Sequence, residues 1–312
     1  MDVKVSSQAK RNRWWVMLTG LLLLLLAACG GPALTPLQAQ YQREQERALR
    51  YHARGELPRA LQAYQDSLRW AEIADDRAAI VTQALNLGTV ALALGEWALA
   101  ESSFQQAQRT AVELRNVASE WRARLGLAQV SLRQGRFEAA LTAFQHALAE
   151  VRERDTAAAL VALNGLGLAH QGLEQWSDAY RALREAEILA RAHGNERLLA
   201  ATLANQAALA LRTGQFSPAA TRLDEAIALD RNTENLPGLA QDLALLARVR
   251  EQMGDGPGAL DLYRQARIIA RHTGQFLPVE SGHRVDRGSE GDSSGRLQPG
   301  GLKSAEQSGL TP

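Results

Sequence analysis

The chain holds one thiol and six imidazoles, and their spacing limits the chemistry they could do. Cys29 is the only cysteine, so neither a disulfide framework nor a thiolate metal cluster can form within the chain. His52, His146, His170, His193, His272 and His283 stand far apart. No two have the separation of three to five residues that would set both imidazoles on one helix face around a metal. Gly165-Leu166-Gly167 is a fragment of a glycine-rich pattern, but it lies inside a helical stretch and reads as close helix packing rather than a phosphate cradle. The run Arg152-Glu153-Arg154 reads as a solvated helix face. With no clustered acid and base, we expect no catalysis, no metal and no cofactor. Chemistry is left to Cys29 as a nucleophile and to polar side chains that could hold a peptide.

The elements that would position those side chains are written as a repeat. Gly55, Gly95, Gly135, Glu174, Gly214 and Gly254 recur at intervals of 40 with one slip of a residue. Alanine stands five residues after each, as Ala60, Ala100, Ala140, Ala179, Ala219 and Ala259. Four further on come the bulky Tyr64, Phe104, Phe144, Leu183, Leu223 and Tyr263. Three beyond that the residue is small again, from Ser67 through Ala107, Ala147, Ala186 and Ala226 to Ala266. The opening position suits a helix end where the chain reverses at positive φ. Alanine lets two helix backbones approach, and the bulky residue one turn on fills the space beside that contact at the 3.6-residue period. Each unit is therefore helix, turn, helix. One hairpin cannot bury its own apolar stripe, so the units must stack into a solenoid.

Ala84-Leu85-Asn86-Leu87-Gly88, followed by Gly95, Trp97, Ala100, Phe104 and Ala107, resembles a tetratricopeptide repeat, and the other units fit the same template. The resemblance covers about residues 41 to 275 and implies an all-α, right-handed superhelical solenoid of six hairpins. The period departs from the common 34 residues and is similar to the long-repeat subclass of kinesin light chains and cell-polarity adaptors. HEAT and armadillo arrays share a period near 40 but lack the linked offsets. Polar clusters at Asp75-Asp76, Asn116, Asp155, Gly194-Asn195 and Asn232 to Pro237 mark the turns between units.

The resemblance also implies that the first helix of each hairpin lines a concave groove. Carried over unit by unit, the peptide-binding candidates are Asn86, Gln129, Arg133, Asn164, Asn205, Arg212 and Arg248. Asn86 and Asn205 hold the position at which long-repeat adaptors clamp a peptide main chain, a role that suits an amide because it donates and accepts. The arginines, with Arg122, make the groove more positive than the whole, which favours an acidic peptide or a C-terminal carboxylate. Leucines crowd the same helices, so either the groove is partly apolar and receives an amphipathic helix, or tight curvature buries them.

The N-terminus reads as a leader. Lys4, Lys10, Arg11 and Arg13 precede the apolar run Val16 to Leu26, which is short for a permanent membrane span. Leu26-Ala27-Ala28-Cys29 resembles the bacterial lipobox, which implies cleavage of residues 1–28 and acylation of Cys29, with multiple acyl chains as a durable anchor. Gly30 in second place of the mature chain resembles lipoproteins exported to the outer membrane, and we expect lipid anchoring there on the periplasmic face. Residues 29–39, with Pro32 and Pro36, read as a tether, 40–276 as the solenoid, and 277–312 as a disordered tail rich in Gly, Ser and Pro. With no seventh unit after Gly274, the last helix face is left open for a partner or a second copy.

The formal charge is +1, and the leader carries +3 of it, which leaves −2 for the rest. A near-neutral body argues against nucleic acid as a partner. The sequence therefore points to a non-enzymatic, lipid-anchored scaffold that binds protein partners in the bacterial envelope and assists assembly of an envelope, secretion or pilus complex. The alternative is a regulatory subunit that recruits or activates a peptidoglycan synthase or hydrolase.

Overall fold

The computed structural model describes residues 34–273, all within one compact unit spanning residues 1–277. The leader, Cys29 and the 277–312 tail lie outside the described residues. Twelve helices and no strand are found among the described residues. The six hairpins are α1 (Pro36–Ala53) with α2 (Leu57–Ile73), α3 (Arg77–Leu94) with α4 (Trp97–Glu113), α5 (Val117–Arg133) with α6 (Phe137–Val151), α7 (Thr156–Gly172) with α8 (Trp176–Ala192), α9 (Glu196–Arg212) with α10 (Phe216–Asn232), and α11 (Leu236–Gln252) with α12 (Gly256–Thr273). Consecutive helices pack on one another throughout, which makes the array a tetratricopeptide-like solenoid.

Local chemistry sets the helix ends. Asp76, Asn116, Asp155, Asn195 and Asn235 cap the odd helices from α3 to α11, each side-chain oxygen accepting a backbone N–H three residues on. These are the polar clusters that the sequence marks as turns, and each satisfies a donor that the helix cannot. Even helices α2 to α10 lack a side-chain cap, their N-cap positions holding Glu, Arg or Gln in place of the short Asp or Asn, and a residue in left-handed conformation turns the chain just before each of them. That residue is glycine in four of these hairpins, and Glu174 at φ 58° in the other. The first helix begins at Pro36 under a capping box formed by Thr35 and Gln38, earlier than the expected start at 40, so helix occupies the end of the predicted tether. Proline at N1 presets the first turn and has no N–H to lose.

The register alanines are all buried, and so are the bulky partners from Tyr64 to Leu223. A Cβ at Gly165 would clash with Phe144 ring carbons, 2.5 Å from both Cε atoms, and one at Gly167 would lie 2.5 Å from Leu183 side-chain carbons. These two glycines are packing residues, as expected. Helix α3 is long and apolar enough to cross a bilayer by length and composition, but half of it is buried inside the array.

Candidate functional site

Curvature follows from which helices meet. Successive odd helices from α3 to α11 contact one another from hairpin to hairpin, whereas successive even helices do not do so to a comparable degree. The odd helices therefore form the inner layer. Along them the solvent-facing positions fall in register: Thr82, Arg122, Val161, Ala201 and Gln241 form one rung, and Thr89, Gln129, Leu168, Ala208 and Arg248 the next. Between them run Asn86, Gly126, Gly165, Asn205 and Leu245. At α7 the face is nearly all buried and only half-exposes Val161 and Leu168.

Neighbouring hairpins and helices are tied by ion pairs of Arg77 with Glu113, Arg124 with Glu150 at 3.2 Å, Arg152 with Glu185, and Arg191 with Glu225 at 2.8 Å. Arg122, Arg133, Arg197, Arg212 and Arg248, on the inner helices, make no ion pair among the described residues. All five are exposed, and guanidinium groups left in this way can bind carboxylates in bidentate fashion.

The predicted peptide-binding residues separate into two groups. Asn86 and Gln129 are half-buried, and Arg133 and Arg248 exposed, on inner rungs or at their ends. Arg212 lies over the Trp176 indole, 5.4 Å from the ring centroid, which draws it toward the even-helix side. Asn164 departs from the expectation. It is 8% exposed, and its Nδ2 donates to Leu160 O at 3.0 Å and Thr202 Oγ1 at 2.8 Å. Its Oδ1 accepts from Asn205 Nδ2 at 2.9 Å. With both donors used, Asn164 joins α7 to α9 and offers nothing to a ligand. Asn205 keeps an amide N–H and its Oδ1, while its backbone oxygen accepts from Gln171 Nε2 at 3.3 Å.

Sequence reasoning passed over a buried acidic pair. Asp242, 5% exposed, is pushed up to about 8 by burial and then by the charge of Asp230. Asp230 is itself raised by burial although Asn235 Nδ2 donates to it at 2.9 Å. The signal was available in the register Gln83, Ala123, Ala162, Thr202, Asp242, where one position otherwise neutral carries a carboxylate. On the outer side, Trp176, Tyr180, Leu209, Thr213 and Pro218 line a hollow of about 450 Å³ between α8, α9 and α10. Its Arg222 is already held by Gln206 Oε1 and Glu187. No group of three or more metal-ligating side chains is found among the described residues.

Residues 80–153 match the tetratricopeptide repeat family. No curated protein matches the chain. Among solved structures, the array is similar to a Rap protein complexed with competence and sporulation factor, at 14% identity over 77% of each chain with a TM-score of 0.61. It is also similar to the Rap conjugation gene regulator of the plasmid pLS20 in complex with the Phr* peptide, at 14% identity and a TM-score of 0.62. That match covers 78% of this chain and 65% of the regulator. Aspartyl phosphate phosphatase F from Bacillus subtilis matches at 13% identity over 78% and 77% of the two chains, with a TM-score of 0.51. At these identities the likeness is one of fold.

Proposed function

We propose that the chain is a non-enzymatic docking scaffold whose inner face holds an acidic, extended segment or C-terminal carboxylate of a protein partner. The observation that carries this reading is the set of exposed arginines on the inner helices, Arg122, Arg133, Arg197, Arg212 and Arg248, none of which makes an ion pair among the described residues. Asn86 and Asn205 supply main-chain recognition at one register, and Arg122, Arg133 and Arg248 supply the charge. Asn164 positions Asn205 rather than touching the ligand. One of the similar structures is a complex with a peptide, which supports a peptide as the ligand class. The placement of the scaffold rests on Leu26-Ala27-Ala28-Cys29: acylated Cys29 anchors the array at the outer membrane, where it assists assembly of an envelope complex.

Two measurements test the parts separately. Fluorescence anisotropy with a labelled Glu-rich dodecapeptide and its Lys-rich counterpart should show binding of the acidic peptide alone, weakening as salt screens the arginines. Equal binding of both peptides, or of neither, contradicts the inner-face reading. For the anchor, Cys29→Ala should release the protein from the membrane fraction and block leader cleavage, and unchanged attachment and cleavage would contradict lipidation.

A further inference from the structure

The first hairpin turn and the end of the last helix, at opposite ends of the array, touch one another. A Cβ built at Gly55 would lie 2.9 Å from Thr273 Cβ and 3.0 Å from its Cα and Cγ2. Both residues are buried, Thr273 at 0% exposure, and neighbouring Leu57 is 4% exposed. At the same register Gly135, Gly214 and Gly254 are exposed and have nothing within 4 Å of such a Cβ. A second observation brings the first turn within electrostatic reach of α9. His52, in the last turn of α1, is held below its ordinary value by burial and then by the charge of Arg197 at the start of α9. Arg197 in turn acts on Asp230 near the end of α10. The α1–α2 turn therefore meets the end of α12 and stands within electrostatic reach of the start of α9.

The register itself does not demand glycine, because Glu174 makes the equivalent turn at φ 58°. What sets Gly55 apart is the neighbour it meets. Since each hairpin already packs on the next, the Gly55 contact closes the array into a loop with the odd helices inside. A closed loop can be reached along its axis by a chain end or an extended segment. A loop projecting from a folded domain needs a gap in the wall.

We propose that the contact between Gly55 and Thr273 is a clasp that closes the helical array on itself and restricts the inner face to chain ends and extended segments. The proposal rests on the inner-face reading for its consequence, but its structural claim is testable without a peptide. It also gives the end of α12 a covering within the chain, where the sequence suggested an open surface for a second copy.

Asparagine adopts the left-handed conformation at modest cost. Gly55→Asn therefore keeps the turn while adding a Cβ that Thr273 cannot accommodate, and Gly214→Asn adds the same atoms into open space. In the full chain carrying Cys29→Ser, Arg54→Cys and His272→Cys place thiols on exposed residues beside the contact. A short bis-maleimide should cross-link them within one molecule in the Gly214→Asn background. The yield should fall by at least about tenfold with Gly55→Asn as the closed population is lost. In a second series a single thiol from Ala201→Cys, on the inner rung of α9, is reacted with N-ethylmaleimide and with a maleimide carried on streptavidin. The ratio of bulky to small reagent rates should rise with Gly55→Asn and with Thr273→Arg, which opens the contact from its other side. Equal cross-linking with Gly55→Asn and Gly214→Asn, or a rate ratio that both opening variants leave unchanged, overturns the clasp. Should Gly55→Asn fail to fold, Thr273→Arg carries both measurements. Failure of acidic-peptide binding would leave these readouts intact, so the two readings fail separately.

Discussion

Asn205 donates its Nδ2 to Asn164 Oδ1 at 2.9 Å across the α7–α9 contact, and this bond divides two residues that share a type but not a role. Asn164 spends its amide on Leu160, Thr202 and Asn205, whereas Asn205 retains capacity for a ligand. Asn164→Ala should therefore lower stability by about 1–3 kcal/mol, because it removes the buried amide's bonds to Leu160 O, Thr202 and Asn205 and leaves Thr202 only its bond to Leu198 O. Asn205→Ala should cost less in stability and more in peptide affinity. Chemical denaturation and anisotropy on both variants check the division, and the reverse ordering contradicts it.

The first hairpin is fastened to the second by Tyr41, whose hydroxyl donates to Asp76 Oδ2 at 2.7 Å. Burial first, then the bond to Asp76, pushes the phenol up to about 12, so it stays a donor through neutral and mildly alkaline pH. Asp76 meanwhile caps α3 through the Ala79 N–H at 3.0 Å. Tyr41→Phe should cost about 1 kcal/mol as one lost bond, and Asp76→Ala about 1–2 kcal/mol as bond and cap together. The Asp76→Ala cost should exceed that of Tyr41→Phe in the same denaturation experiment.

Asp242 gives the array a dependence on pH. Its ordinary value of 3.8 rises to about 8 when folded. Below about pH 4 folded and unfolded chains both hold the proton, and there is no penalty. Between about 4 and 8 only the folded chain keeps it, so stability falls as pH rises and levels off above 8, with a slope of at most about 1.4 kcal/mol per pH unit. Asp230, raised in the same direction, adds to the trend. Asp242→Asn should flatten the curve and raise the melting temperature most at pH 8 and above. A melting profile between pH 5 and 9 identical to that of the parent chain would assign the trend elsewhere.

Close packing between successive hairpins, α6 against α7, predicts an opposite pair of effects at one contact. Gly165→Ala pushes a methyl into the Phe144 ring and should cost about 1–3 kcal/mol by overpacking. Phe144→Ala should cost about 3–5 kcal/mol by leaving a cavity. Combined, each partly relieves the other, so the double variant should be more stable than the sum of the single losses predicts. Strict additivity would mean that the two residues do not touch.

The repeat made much of this structure legible. Turn positions from Gly95 to Gly254, caps from Asp76 to Asn235 and the buried alanine and ring positions are local features, and a period of 40 displays each of them several times over. Asn86, Gln129, Arg133 and Arg248 were placed on the inner layer for the same reason. Three features were not legible, each for a physical cause. Asn164 and Asn205 look alike in sequence, and only the packing of α7 against α9 decides which amide is consumed. Asp242 stands where the second to fifth units carry a neutral residue, but its cost depends on Asp230 from a different helix. The Gly55 contact depends on the angle between hairpins accumulated over the whole array, which no single repeat encodes.

The central claim, an electropositive inner docking face, is tested most directly by reversing charge on the two sides of the array in parallel. Arg122→Glu, Arg133→Glu and Arg248→Glu together alter the inner face, while Arg69→Glu, Arg109→Glu and Arg184→Glu alter exposed positions on even helices by the same amount. Affinity for the labelled acidic dodecapeptide should fall by at least about tenfold in the inner triple variant, with a shallower salt dependence, and stay within about twofold of the parent in the outer one. Equal losses in both, or an unchanged affinity in the inner variant, would contradict the assignment of the inner face as the docking surface.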